Sequence, residues 1–206
     1  MSDAGSYTGL LVDWGGVMTT NVFASFAAFC EREGLSAESV RDLFASDEAS
    51  RDLLVGLETG TLADADFERR FAAILGVDPE RLIERLFAGC GLDEAMLDAV
   101  RRARAAGVRT GLISNSWGAS TYDRSLLGEL FDGVVISGDV GVRKPTPEIY
   151  ALGARAINLP PIACVFVDDL GFNLAPARDM GMATVRHFEA RKTIEELERL
   201  LAVDLS

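Results

Sequence analysis

Asp13, Ser114, Asn115, Lys144, Asp168 and Asp169 share one property: each stands where a short apolar run stops, or on the segment just beyond it. The runs are GLLV from residue 9, VRTGLIS from 108, GVVIS from 133 and IACVFV from 162, and the third leads through GDVGVRKP to Lys144. Open parallel sheets bind ligands beyond the carboxyl ends of their strands, so residues at four such ends can meet in one crevice. Three carboxylates there would raise one another's pKa steeply, and a single lysine does not balance them. A hard divalent cation with oxygen ligands does. Magnesium suits the set better than calcium, because it takes few carboxylates, keeps part of its water shell and accepts a phosphate oxygen. The metal, the Lys144 ammonium and the Ser114 hydroxyl would together hold a dianionic phosphate. Asp13 is then placed to attack phosphorus, giving an aspartyl-phosphate that water later cleaves.

Each residue alone has an ordinary explanation. Asp13 could start a loop or cap a helix, and Asp168 with Asp169 could form an Asx-turn and cap a helix near Asn173. Ser114 and Asn115 are common strand-exit residues, and Lys144 before Pro145 could be a solvated lysine. It is the assembled set that points to chemistry. Other enzyme classes lack their signatures: no GxSxG surrounds a serine, no GxxxxGK[ST] loop occurs, and a single histidine provides no zinc pair.

The elements that must position these residues follow from the same runs. Continuous apolarity, rather than alternation, predicts strands covered on both faces, and MATVRH from residue 182 makes a fifth. Between the later runs lie helical patterns: DEAMLDAVRRARAAG, STYDRSLLGELF, TPEIYALGARAI and NLAPARDMG. Strand and helix in alternation predict an α/β fold with a Rossmann-like parallel sheet. Residues 19–92 differ. There VFASFAAFCEREG, SAESVRDLFAS, DADFERRFAAILG and DPERLIERLFAG carry apolar residues at helical spacing, with Ser36 and Asp78 as expected N-caps and Pro79 at a first helical position. This predicts a helical cap inserted after the first strand, with residues 9–18 and 93–206 as the core. The segment TIEELERLLAV near the end reads as an amphipathic helix.

A chain of 206 residues that is 49% apolar holds one domain with a full core, or a core and a small lid. Its net charge of -12, with no Lys/Arg run, disfavours nucleic acid and anionic membranes as partners. Cys30, Cys90 and Cys164 show no CxxC spacing and read as reduced thiols, which favours a cytoplasmic setting. The start MSDAGSYTG has neither a basic nor an apolar leader region, and no run is long enough to span a membrane. A homo-oligomer is compatible with these features; nothing in them requires one.

The motifs VDWGGV, LISNSWG, GDVGVRKPTPEIY and VFVDDLGFNLAPARDMGM resemble those of the haloacid dehalogenase superfamily. The likeness runs over about residues 9–190. Within that superfamily the chain is most similar to the amino-terminal phosphatase domain of soluble epoxide hydrolase and to related bacterial sugar phosphatases. The resemblance implies the three-layer fold of that superfamily, a Mg²⁺-dependent phosphatase of small phosphorylated metabolites, Asp13 as nucleophile, and Ser114 and Lys144 as phosphate ligands. It implies Asp169 as a metal ligand beside Asp13 and the Gly15 carbonyl, with Asp168 bound directly or through water. Gly15, Gly16, Asn115 and Trp117 would lie close to the substrate or the cap.

One position departs from the pattern. Two residues after the nucleophile these enzymes most often carry a second Asp, whose carbonyl binds metal and whose side chain protonates the leaving group and later activates water. Gly15 keeps only the carbonyl. Losing a general acid/base costs roughly 10²–10⁴-fold in rate, or about 3–5 kcal/mol of barrier. An acid borrowed from the cap is one remedy, yet Glu58, Asp47 and Glu48 read as solvated helix charges, and His187, which ends the fifth run, as a surface or packing residue. Two alternatives remain open: a 2-haloacid dehalogenase, which uses no metal, and a non-catalytic phosphometabolite-binding protein.

Overall fold

In the computed structural model, which describes residues 7–118 and 121–206, five parallel strands form one sheet in the order β3-β2-β1-β4-β5. They are β1 (Gly9–Val12), β2 (Arg109–Ser114), β3 (Gly133–Ile136), β4 (Cys164–Asp168) and β5 (Ala183–Arg186). Each coincides with a predicted apolar run to within a residue or two. The reason is burial: β1 and β4 are buried along their whole length, so both faces demand apolar side chains. Leu10 and Val12 pack on one face against α6 (Glu94–Ala105), α7 (Arg124–Leu130) and α11 (Ala190–Leu201). Leu11 points to the other face, against α9 (Pro147–Ala156) and α10 (Gly171–Asp179). The result is a helix–sheet–helix sandwich of three layers.

The strand order places a switch point beside β1. The chain steps outward from β1 to β2 and β3, then returns to lay β4 on β1's other side, so the loops leaving β1 and β4 diverge and open a crevice. The β1 ladder runs one residue past the strand, because the Asp13 N–H donates to the Val167 carbonyl at 2.9 Å. Asp13 is therefore fixed at the mouth of that crevice.

Between β1 and α6 lie five helices: α1 (Val22–Arg32), α2 (Ser39–Ser46), α3 (Glu48–Glu58), α4 (Asp64–Leu75) and α5 (Leu82–Phe87). They share their own apolar cluster, built on Phe26, Phe29, Leu57, Phe67, Phe71 and Leu86. The two strands of chain that lead out and back lie antiparallel, joined by a bridge between Thr19 and Leu92 and by the Thr20 N–H donating to Gly91 O at 2.8 Å.

Several local expectations are corrected. Helix α3 was not anticipated; it starts at Asp47, whose carboxylate accepts the Ser50 N–H at 2.7 Å, so Asp47 is a cap. Helix α5 begins at Leu82 rather than Pro79, because Arg81 takes a left-handed φ of 49° and Asp78 closes a turn onto the Glu80 N–H instead. Ser36 caps nothing with its side chain; its carbonyl accepts the Ser39 N–H one turn before α2. The pattern expected to be helical from Ser120 begins outside the described residues, and its helix, α7, starts at Arg124 behind the Asp123 cap. His187 is buried and its Nδ1 lies 3.0 Å from Thr193 Oγ1, which fits the packing role. No described helix is long and apolar enough to cross a membrane.

Candidate active site

Lys144 organises the crevice. Its side chain is 1% exposed, and its Nζ lies 2.7 Å from both Asp13 Oδ1 and Asp168 Oδ2. Burial pulls this ammonium's pKa down, but the two carboxylates together hold it above the usual lysine range. The lysine comes from the segment after α8 (Ser137–Val140), and the Asn115 amide clamps its backbone, accepting Lys144 N–H at 2.8 Å and donating to Lys144 O at 3.2 Å. Asn115 is thus the residue that pins the lysine loop to the end of β2.

The Trp14 N–H also donates to Asp13 Oδ1, at 2.7 Å. Lys144 and Trp14 together engage Oδ1, and Oδ2 makes no hydrogen bond among the described residues. Asp168 is engaged on both oxygens, by Leu170 N–H at 2.9 Å, Asn173 Nδ2 at 3.0 and 3.1 Å, and Lys144. It forms the turn foreseen as its ordinary explanation and anchors Lys144 at the same time. Asp169 is half-buried, and its carboxylate comes so close to Gly16 that a Cβ there would sit 2.6 Å from Asp169 Oδ2. Gly16 has φ +74°. Only glycine meets both demands.

Asp13, Asp168 and Asp169 each offer an oxygen within 4.8 Å of the others. Burial pushes Asp13 up to about 8; Lys144 pulls against it and Asp168 adds to it. Asp169 rises to about 6, again through burial first and Asp168 second. One buried lysine leaves this cluster short of positive charge, and its donors are all hard oxygens. The residues present fit a divalent cation such as Mg²⁺.

The Ser114 hydroxyl lies 2.9 Å from the Tyr122 hydroxyl. Tyr122 is a site residue that sequence reasoning missed; it lies in the stretch taken for helix, and only the Asp123 cap leaves it free to turn inward. Burial raises its pKa, and the charges of Asp13 and Glu58 push the same way. Trp117 packs against the apolar cluster of α1–α5, where its ring lies 5.1–6.2 Å from the rings of Phe26, Phe44, Phe67 and Phe87. At Gly15 a Cβ would meet a single atom within 4 Å, Val22 Cγ2 at the start of α1, at 3.3 Å.

Glu58 overturns its expectation as a solvated charge. It ends α3, is 4% exposed and pairs closely with Arg143, the neighbour of Lys144. The contact is not aligned as a hydrogen bond: Glu58 Oε2 and Arg143 Nε are both buried without one. Burial pushes this carboxyl up to about 7, against the pull of Arg143, Lys144 and the Asn115 side chain.

A crevice at the switch point of such a sheet, with an aspartate after β1 and a lysine and acidic pair facing it, is where an open α/β sheet seats its ligand. The family model of haloacid dehalogenase-like hydrolases matches residues 7–181, and the chain belongs to that family. It is 31% identical over 126 residues to bifunctional epoxide hydrolase 2 of Rattus norvegicus, a match covering 58% of this chain and 23% of that protein, so the chain spans under a quarter of this relative. It is also 32% identical over 88 residues to glyceraldehyde 3-phosphate phosphatase of Pyrococcus furiosus, covering 41% of the chain and 37% of the relative. A similar share, 41% of the chain and 38% of the relative, is 32% identical over 87 residues to (S)-2-haloacid dehalogenase of Pseudomonas putida. Among solved structures, a haloacid dehalogenase family enzyme of Bacteroides thetaiotaomicron, crystallised with magnesium and inorganic phosphate, shares the fold with a TM-score of 0.67 at 18% identity, over 88% of this chain and 94% of that one.

Proposed function

We propose that the chain is a Mg²⁺-dependent phosphatase of small phosphorylated metabolites, working through an aspartyl-phosphate on Asp13. The observation that carries this reading is the buried Lys144 ammonium shared between Asp13 and Asp168 beside Asp169. Attack on the carbon of a 2-haloacid uses no metal and so has no need of an acidic pair to hold one; a dianionic phosphate needs positive charge on several sides. The cap of residues 19–92 would close over the core of residues 9–18 and 93–206 and exclude water.

In this reading Asp13, Asp169 and the Gly15 carbonyl would hold the metal, with Asp168 reached directly or through water. Bound there, the cation would withdraw charge from the transferring phosphoryl group and offset the carboxylates. Lys144 and the Ser114 hydroxyl bind the phosphate oxygens, and Tyr122 orients that hydroxyl. Asp13 Oδ2 attacks phosphorus, the ester oxygen departs, and water then releases phosphate and restores Asp13.

Screening a panel of phosphate monoesters with and without Mg²⁺, for the wild type and Asp13→Asn, tests the reading. Turnover that needs Mg²⁺ and disappears in the variant supports it. Turnover that ignores both, or chloride release from 2-chloropropionate without metal, overturns it in favour of the dehalogenase. Binding of phosphate esters with no turnover of any leads to the non-catalytic alternative.

A further inference from the structure

We propose that Glu58 is the proton donor and acceptor of the reaction, supplying from the cap the side chain that Gly15 lacks. The proposal rests on the aspartyl-phosphate reading above. Among the buried polar residues of the cap, Glu58 is the only acid. Its backbone is locked onto the crevice: Ser137 Oγ donates to the Glu58 carbonyl, and the same Oγ accepts the Ser116 N–H at 2.8 Å. Two residues on, Gly60 has φ +71° and passes so near the Gly138 carbonyl that a Cβ would stand 2.6 Å from its oxygen. The end of α3 is thereby set directly on the segments that follow β2 and β3. Those segments carry Asn115 and Lys144 and begin at Ser114, the end of β2; in the reading above Ser114 and Lys144 bind the phosphate and Asn115 positions the lysine.

The carboxyl also has capacity to spare. Oε2 is buried with no hydrogen bond, although Arg143 stands beside it. Oε2 is ion-paired with Arg143 rather than held by an aligned hydrogen bond, so it keeps lone-pair capacity that a leaving-group oxygen or an attacking water would engage. The charged and titratable groups facing it are Arg143 and Lys144 from the segment after α8 and Tyr122 from the segment before α7, with the Asn115 amide between them. A carboxyl poised at about 7 is half protonated at neutral pH, which suits a group that must give a proton and then take one.

The two half-reactions balance. As Asp13 Oδ2 bonds to phosphorus, the P–O bond to the alcohol breaks; its electron pair stays on the alcohol oxygen, which takes the Glu58 proton and leaves as ROH. Glu58, now a carboxylate, takes a proton from water while the water oxygen bonds to phosphorus. The P–O bond to Asp13 breaks, its electron pair returns to the aspartate, and phosphate leaves with Glu58 protonated again.

The test is an ester series running from p-nitrophenyl phosphate, whose leaving group needs no proton, to simple alkyl phosphates, measured from pH 5 to 9 with Mg²⁺. Wild type, Glu58→Gln, Glu58→Asp and Asp13→Asn are compared. Glu58→Gln is expected to lose roughly 10²–10³-fold in kcat on alkyl phosphates with KM little changed, and to lose the wild-type limb of the pH profile near 7. On p-nitrophenyl phosphate it should release a burst of p-nitrophenolate and accumulate phosphorylated Asp13, because the second half-reaction has no base. Glu58→Asp, which keeps a carboxyl on a shorter stem, should retain a pH limb at reduced rate, and it decides the matter should the Gln variant melt early. An equal loss on every ester with raised KM, or a pH limb that survives in Glu58→Gln, overturns the proposal and leaves Glu58 as a cap fastener. Asp13→Asn separates the two levels: if it is inactive while Glu58→Gln matches the wild type, this inference alone fails, and if it still turns over, the aspartyl-phosphate reading falls with it.

Discussion

Restoring a carboxylate at position 15 in a chain deprived of Glu58 should restore proton transfer. The structure allows the substitution: Gly15 is not among the glycines with left-handed φ, and its Cβ would meet only Val22 Cγ2 at 3.3 Å. Val22 is the first residue of α1 and half-buried, so a shift of a few tenths of an ångström suffices. That places the packing cost at the low end of overpacking penalties, about 1 kcal/mol. The new carboxylate adds charge beside Asp13, Asp168 and Asp169, so the comparison must be made at saturating Mg²⁺. A well-placed acid/base is worth roughly 10²–10⁴-fold, or about 3–5 kcal/mol. Allowing for imperfect aim, Glu58→Gln/Gly15→Asp should exceed Glu58→Gln by at least about tenfold in kcat on an alkyl phosphate. Gly15→Ala in the same background, which fills the space without the acid, should gain nothing. With Glu58 intact, Gly15→Asp should change kcat by less than about tenfold, because an acid is already present. A rise of a hundredfold or more in Gly15→Asp alone would show that the natural site has no working acid. A folded double variant no faster than Glu58→Gln would show that proton transfer is not what that variant lost.

Two further outcomes concern stability. Trp117→Ala removes a half-buried ring from among four phenylalanines; it should cost about 3 kcal/mol and, in urea, loosen the cap before the sheet, seen as activity lost ahead of far-UV circular dichroism. Glu58, with its pKa raised from 4.5 to about 7 by burial, holds its proton more tightly folded than unfolded. Its contribution is therefore complete below about pH 4.5 and is lost as pH rises through about 7, on the order of 3 kcal/mol in all. Without metal, the wild type should lose more stability between pH 5 and pH 8 than Glu58→Gln does, by urea midpoint; equal losses would mean the carboxyl is solvated.

The sheet was legible because its constraint is local: a strand covered on both faces must be apolar at every position, and GLLV and CVFV are. Asp13, Asp168 and Asp169 were legible for a related reason, since a charged residue closing such a run has few places to go except the crevice, and Lys144 was legible from the segment that the third run leads into. Other residues take their environment from partners far along the chain. Glu58 sits on a helix with Glu48, Arg51 and Asp52, and nothing nearby in sequence separates it from them; its burial comes from Arg143 and from the Gly60–Gly138 contact. Tyr122 was hidden by the cap of α7, and α3 by Gly56 within its pattern. Pro79 misled because a proline suits a turn as well as a first helical position.

Gly15 and Glu58 are two sides of one arrangement. A side chain at position 15 would touch α1 at Val22 and little else, so the loop after β1 has room for an acid it does not carry, while α3, further along the same helical segment, brings one. An acid on the nucleophile loop would be present whether the cap was open or shut. An acid on the cap is present only when α3 rests against Ser137 and Gly138. With Glu58 as the donor, protonation of the leaving group is confined to the closed state, in which water is excluded, and the same closure that admits a substrate by shape also completes the catalytic set.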